Sequence, residues 1–555
     1  MAGLLLWLGL LVAGPAARAQ APAWQAAVTS FQTGGNSSRI QASAADVNGN
    51  VYVAGTFSGT IVLGTIGLIS AGSNDVFVAK WSSASGNFVW AQRAGGPAAD
   101  EAAAIAVNGA SVYLTGTFTG TAAFGGTALV SAGAVDVFVA KLTDAGPAAS
   151  FVWAQRAGGS LQDRSFGVAV SGASVYLTGI FEGTTTFGGT APLVSAGSFD
   201  VFVAKLTDAG ASGTFSWARR AGGPSLEFAG GVAASGTSVY LTGGFTGTAA
   251  FGGTALTSAG SSDVFVAKLT DAGSSGAFAW AQRAGGTGFD NAAAVAVSGA
   301  NVYITGNFSG TTSFGAAFLV SVGSDDAFVA KLTDTGPAGS FVWAQRGGGP
   351  GADAGYFVAV SGANVYASGY FNDAASFGST ALIGIGNEAF LAKFVDAGGA
   401  GSVAWAQRGG GPGSDVADGV AVGGQNVYVV GYVTPPATFG PFAFAAPTNT
   451  FVGFLASLRD PTLTATRPAL SAESIALFPN PAHTATTVRL PAVPGAATAT
   501  LTLLDGLGRT VRRQQVALPA AGAAAEVSVA GLAPGLYRLL VQAGGQQASR
   551  ALAVE

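Results

Sequence analysis

The sequence predicts an all-β protein: a seven-bladed β-propeller closed by its own N-terminal strand, followed by a small β-sandwich domain. Three observations predict it. A tryptophan recurs at a near-constant period. Short apolar runs bounded by turn residues recur with it. Their count closes only if the first strand of the chain completes the last repeat.

Composition sets the bounds. Only 9% of the 555 residues are charged, while 86 are glycine, against roughly 25% charged residues in ordinary soluble domains. Glycine spread through the whole length disfavours helices. A formal net charge of -4 and the absence of any Lys/Arg cluster argue against nucleic acid or an anionic membrane surface as partner. With no cysteine, disulfides, thiolate nucleophiles and Cys-ligated metals are excluded. Residues 1–19 read as a secretory signal, with an apolar core from Leu4 to Ala13 and small residues ending in Ala17-Arg18-Ala19. That apolar run is short for a membrane span, and no later segment matches it, so no transmembrane segment is expected in the mature chain.

The repeat occupies residues 20–459. Trp90, Trp153, Trp217, Trp280, Trp343 and Trp405 sit in W-A-[QR]-R contexts, and Trp24 precedes them; successive separations are 66, 63, 64, 63, 63 and 62. In the second repeat four runs read as strands: Ala104 to Val107, Ser111 to Phe118, Val137 to Leu142 and Phe151 to Gln155. Val137-Phe138-Val139-Ala140 is continuous rather than alternating, as in a strand covered on both faces. Four strands per repeat make a propeller blade. Tyr52, Tyr113, Tyr176, Tyr240, Tyr303, Tyr366 and Tyr428 mark the second strand in seven repeats, and the last third strand is Phe454 to Leu458. A fourth strand is missing there, and the strand around Trp24 supplies it.

These residues resemble a known family. Ala-Val-Ala-Val-Ser-Gly-Ala-Asn-Val-Tyr (294–303), Asp-Val-Phe-Val-Ala-Lys (263–268) and Trp-Ala-Gln-Arg-Ala-Gly-Gly (280–286) are similar to the β-propeller repeat of bacterial extracellular proteins. The resemblance covers about Trp24 to Leu458 and implies a propeller with an extracellular life, but no defined chemistry.

Charged residues recur with the repeat. The six lysines, Lys80, Lys141, Lys205, Lys268, Lys331 and Lys393, end the third strand, and such uniform use reads as structural. An acid begins that strand and an arginine ends the fourth. The pairs Asp75 with Arg93, Asp136 with Arg156, Asp200 with Arg220, Asp263 with Arg283, Asp326 with Arg346 and Glu388 with Arg408 are therefore expected as cross-strand ion pairs. Val452 and Ala27 stand at those positions in the seventh repeat, so both partners are missing together. Exposed pairs of this kind hold register more than stability, at about 0.2 to 1 kcal/mol each.

A second acid follows each repeat tryptophan by ten residues: Asp100, Asp163, Glu227, Asp290, Asp353 and Asp415, with Gly34 at the first position. It is expected in the loop entering the innermost strand, on the face that carries long loops such as Thr119 to Val135. Two readings stand: a cation or ligand ring near the central channel, or carboxyls that accept backbone N–H groups and shape their own turns. No metal ligand set and no cofactor is assigned, since no EF-hand-like run accompanies the acids. The repeated tryptophans read as inter-blade packing. The single histidine, His483, lies outside the repeat, which excludes a His-dependent triad or zinc site there. Carboxylate-only chemistry needs just two acids and stays open. Departures from the repeat are few: Tyr370 and Asn372-Asp373 in the sixth, Asp418 and Pro435-Pro436 in the seventh.

Residues 460–473 read as a linker and 474–555 as a small β-domain, with strands at 475–478, 486–490, 498–504, 509–517, 525–529, 535–542 and 549–554. Phe478-Pro479-Asn480-Pro481-Ala482, Leu504-Asp505-Gly506-Leu507-Gly508-Arg509 and Gly531-Leu532-Ala533-Pro534-Gly535-Leu536-Tyr537 resemble the type IX secretion system C-terminal sorting domain of Bacteroidota. Arg550 stands where that family more often has lysine. The resemblance implies export across the outer membrane, with the secretion machinery as partner of 474–555, then release or attachment to the outer cell surface. The expected function is a monomeric, non-enzymatic binding scaffold for a polysaccharide or protein. The alternatives are a carbohydrate-active enzyme using carboxylates of the loop-rich face and a structural surface component without a discrete site.

Overall fold

A computed structural model describes residues 20–32, 36–445, 450–463, 474–491, 493, 496, 498–506, 508–519, 522–543 and 546–555. The expected signal segment, Gly34 and Leu507 lie outside the described residues. Every regular element among the described residues is a β-strand. The chain forms two compact units that divide between Leu463 and Thr464.

The first unit is built from the repeat. In the second repeat Asp100–Asn108, Ser111–Phe118, Asp136–Asp144 and Ala149–Gly159 pair antiparallel in chain order. Val137, Phe138, Val139 and Ala140 are each at most 1% exposed, so this strand is covered on both faces. Apolar side chains of both parities are needed for that, and the unbroken Val-Phe-Val-Ala run supplies them. The stretch from Thr119 to Val135, expected as a long loop, is mostly a hairpin in which Thr121–Phe124 pairs with Thr127–Val130. Gly125 turns it with φ 59°, and Phe124 anchors it against Phe138 and Phe151, with ring centroids 4.7 and 5.9 Å away. In the first repeat the same hairpin runs on without a break, Val51–Leu63 pairing with Ile66–Ser82.

Trp24–Thr29 pairs antiparallel with Val452–Arg459, in one sheet with Asn426–Val433 and Val416–Gly423. The alignment of Trp24 with the repeat tryptophans needs correction. Ser457, the counterpart of Lys141, faces Ala26, whereas Lys141 faces Trp153. Trp24 faces Leu458 and packs edge-on to Phe439 at 5.3 Å, the place that Phe151 holds beside Phe124 in the second repeat. It therefore stands two residues early, and the position equivalent to Arg156 is Thr29 rather than Ala27. The first separation of 66, longer than the others, carries that offset.

Neighbouring repeats meet at tryptophan and glycine. A Cβ on Gly213 would come within 2.9 Å of the Trp153 ring, and one on Gly276 within 2.8 Å of Trp217. These glycines are needed for close approach, since their φ is not in the left-handed region.

In the second unit Ala476–Phe478, Ala485–Leu490 and Ala523–Ser528 form one sheet, and Thr510–Ala517, Thr498–Leu504, Gly535–Ala543 and Gln546–Val554 form another. Val488, Leu501, Leu503, Leu539, Val541 and Leu552 fill the core, each at most 1% exposed. The three quoted motifs shape its turns. Asn480 Oδ1 accepts the Ala553 N–H at 2.9 Å, Asp505 Oδ1 accepts the Arg509 N–H at 2.9 Å, and the Tyr537 hydroxyl donates to the Ala533 carbonyl at 2.8 Å.

Gly276→Val should cost about 1–3 kcal/mol through overpacking against Trp217. Gly126→Ala, where an added Cβ meets nothing within 4 Å, should change stability by less than about 0.5 kcal/mol. Urea unfolding followed by tryptophan fluorescence measures both.

Candidate functional site

Each acid and arginine expected to pair does so within its own repeat. Arg93 donates to Asp75 at 2.6 Å, Arg156 to Asp136 and Arg220 to Asp200 at 2.7 Å, and Arg346 to Asp326 at 2.5 Å. Arg283 bonds Asp263 and Arg408 bonds Glu388 in the same way. Two details differ from expectation. Arg156 lies opposite Phe138, so the pair is diagonal, within reach of a long side chain. The acids are also not exposed: Asp75, Asp136, Asp200, Asp263 and Asp326 are 0% exposed, and Glu388 is 1%. Asp136 Oδ2 additionally accepts the Ala132 N–H at 2.7 Å, so the carboxyl closes the hairpin end as well as holding the arginine.

The second set of acids does not form an open ring. Asp100, Glu227, Asp290, Asp353 and Asp415 are 0% exposed and Asp163 is 1%. Each opens an innermost strand or directly precedes one, and each accepts an N–H from the glycine four residues earlier, such as Gly96 to Asp100 at 2.7 Å and Gly223 to Glu227 at 3.0 Å. The turn folds each carboxyl back onto the backbone, away from solvent. It also sets the two acid series side by side: a Cβ on Gly95 would meet Asp75 Oδ1 at 2.7 Å and Asp100 Oδ2 at 2.8 Å. Gly95 has φ 139°, so glycine is required there for backbone and space alike.

Burial, and secondarily the neighbouring carboxylate, push the second set upward: Asp100, Asp163 and Asp353 to about 6, Asp415 to about 7 and Glu227 to about 8. Asp290 also reaches about 6, with burial as the main cause. Among the described residues no cluster of three or more His, Asp or Glu is placed to hold a metal ion.

A third acid series escaped the sequence reading. Asp208 accepts Lys141 Nζ at 2.5 Å, the Tyr113 hydroxyl at 2.7 Å and Trp153 Nε1 at 3.1 Å, all from the preceding repeat. Asp271 likewise takes Lys205, Tyr176 and Trp217 at 2.6, 2.7 and 3.0 Å. The same clamp joins Lys80 to Asp144, Lys268 to Asp334, Lys331 to Asp396 and Lys393 to Asp460. Asp460, assigned to the linker from sequence, is thus a bonded part of the first unit, 1% exposed. Burial alone would raise these aspartates, but the lysine and tyrosine donors, with tryptophan at Asp208 and Asp271 and Thr462 at Asp460, outweigh it and hold them below the usual carboxylate range. The signal was legible: lysines occur in repeats one to six and the aspartate three residues beyond that position in repeats two to seven. Ser457 and Ser83 replace them at the remaining junction. His483, in the second unit, is exposed beside Glu555 at 3.6 Å.

With this geometry in hand, comparisons place the chain's tail. The secretion system C-terminal sorting domain family matches residues 476–555. The protein is therefore exported by a type IX secretion system to the cell surface or extracellular space, its tail engaging the secretion machinery. No curated protein matches the chain. Among solved structures, a Trypanosoma rangeli sialidase with the inhibitor DANA is 11% identical over 85% of this chain and 86% of its own, at TM-score 0.29. Drosophila Semaphorin 2a is 7% identical over 81% and 96%, at 0.26. Dimeric latent PorU from Porphyromonas gingivalis is 12% identical over 70% and 32%, at 0.15. Likenesses this weak carry no argument about what this chain does. No helix among the described residues is long and apolar enough to cross a membrane.

Two predictions follow from the acids. Lys205→Met leaves Asp271 buried without its cation and should cost about 3–5 kcal/mol in urea unfolding. The second-set acids have folded pKa values above the roughly 4 of an unfolded chain, so the stability they contribute is complete below about pH 4 and lost as pH rises through 6 to 8. The melting temperature should therefore fall between pH 5 and pH 8.5, and Glu227→Gln, which stays neutral, should flatten the portion above pH 7. An unchanged slope in the variant would contradict the assignment.

Proposed function

We propose that residues 20–459 form a seven-bladed propeller closed by Trp24–Thr29, exported from a Bacteroidota-like cell, and that this ring works outside the cell as a binding scaffold. Its closure is supported by the order in which innermost strands pack. Ser38–Ala45 lies against Asp100–Asn108, and so on through Asp163–Ser171, Glu227–Ser235, Asp290–Ser298, Ala354–Ser361 and Val416–Gly423, which lies against Ser38–Ala45.

The binding role rests on one observation. Positions that hold repeats together are nearly interchangeable, whereas the bulged positions of the innermost strands are not. Those strands carry a β-bulge at a common place, and the bulged residues include Gln41, Ala103, Phe166, Ala293, Tyr356 and Asp418. Bulges re-aim side chains, so chemical variety is concentrated where the ring faces its own axis. Repeated parts with an unrepeated lining suit recognition of an asymmetric ligand. A hydrolytic role would need two solvent-reached carboxylates flanking a bond, and the two acid series of the turns are at most 1% exposed, which does not favour it.

A glycan array probed with the mature protein, with and without calcium, tests the scaffold. Retention of at least one glycan with a matching thermal shift is the expected result. No retention and no shift would leave a structural surface component as the better reading.

A further inference from the structure

Six of the seven junctions between repeats carry the lysine–aspartate clamp, and the junction of the seventh with the first does not. Tyr428 there donates to the Gly49 carbonyl at 3.2 Å instead. The largest departures from the repeat gather at this same junction and the sixth repeat beside it. Asp418 and Tyr356 are the bulged residues of Val416–Gly423 and Ala354–Ser361. Tyr370 and Tyr432 stand on the second strands, opposite Ala354 and Val416, where the other repeats have Thr56, Thr117, Ile180, Gly244 and Asn307.

These side chains form one wall. The Arg39 guanidinium lies 4.1 Å from the Tyr432 ring centroid and 3.9 Å from Asp418 Oδ2, beyond hydrogen-bond reach of that oxygen. Tyr356 and Tyr370 meet edge to face at 5.6 Å, and Tyr356 is 38% exposed. Arg39 Nε, Asp418 Oδ2, and Gln41 Oε1 and Ser43 Oγ on the same strand as Arg39, are all buried from solvent without a hydrogen-bond partner. The repeated turns also leave single carboxyl oxygens unpaired, such as Asp75 Oδ1 and Asp136 Oδ1, but only here, among the described residues, do four unlike polar atoms on two facing strands lack partners together, and that points to a missing polar partner. Burial pushes Asp418 up to about 7 against the opposing pull of Arg39, so near neutrality its carboxyl is able to donate as well as accept.

We propose that this wall is a saccharide site that takes an uncharged sugar residue of an extracellular polysaccharide, with Tyr356 as stacking platform and Arg39 and Asp418 bonding its hydroxyls. The inference rests on the scaffold reading above. The donor set selects among ligand classes. A cationic ligand would compete with Arg39, which already covers the Tyr432 face. A strongly anionic one would meet Asp418 as well as Arg39. A purely apolar one would leave Arg39 Nε and Asp418 Oδ2 stranded. A sugar ring presents a C–H face to the tyrosine and hydroxyls that both donate and accept.

The test is titration of the full mature protein with neutral gluco-, xylo- and mannohexaose, with polygalacturonate and tetramethylammonium as charged comparators. At least one neutral hexasaccharide should bind, and Tyr356→Ala should weaken it by about tenfold or more at a temperature where the variant stays folded by tryptophan fluorescence. Phe318→Ala, which removes an aromatic side chain that is 68% exposed on the hairpin of the fifth repeat, away from the innermost strands, should leave binding as it was. Equal binding by wild type and Tyr356→Ala would overturn this site while leaving the scaffold standing. Binding of a charged comparator alone would overturn the ligand class. Wild-type protein that binds none of these probes, and no glycan on the array, would overturn both readings.

Discussion

The buried lysine–aspartate clamp between consecutive repeats is the contact on which the first unit depends. A single carboxylate such as Asp271 receives an ammonium, a phenol and an indole N–H from the neighbouring repeat, in a place only 7% exposed. Each donor satisfies part of the charge's lost hydration, and a partly satisfied version of the same network would be worse than an apolar contact. Because the lysine and aspartate belong to different repeats, neither is useful within one repeat alone. Stability is therefore passed from neighbour to neighbour, as in other repeat architectures.

The two other acid series act at shorter range. One carboxyl closes the hairpin end and holds an arginine on its diagonal; the other folds back onto the glycine that precedes its strand. They sit beside each other across a glycine that tolerates no side chain. Burial raises the second series toward neutrality, the neighbouring carboxylate adding to it, while the donors of the clamp hold its aspartates low. The first unit is thereby pulled in opposite directions at its acid and alkaline limits.

Clamp, hairpin and turn use up most of the charge of the repeat. What the repeat leaves free is the bulge of the innermost strands, and there each repeat presents a different residue. The junction that lacks a clamp is also the one with Arg39, Tyr432 and Asp418. Ser83 and Ser457 stand where the clamp's charges would be, four residues along the second strand from the wall at Tyr432.

The period of the tryptophans, the tyrosine-marked second strands and the missing fourth strand of the last repeat were readable from one dimension, because each is a local pattern copied several times. The acid–arginine pairs were readable for the same reason, as were the seven strands of the tail. Their burial was not, since whether a hairpin end faces water depends on the repeat stacked against it. Trp24's true place was hidden by its identity: it is a tryptophan doing the work of Phe151, and only the pairing of Ala26 with Ser457 reveals the two-residue offset. The clamp aspartates stood in the sequence in complementary register with the lysines, yet their partnership spans about one whole repeat and so needed the fold to bring them together. The wall at Arg39 and Asp418 is wholly a product of tertiary structure, because it joins the beginning of the repeat region to its end, and chain order places those residues at opposite ends of it.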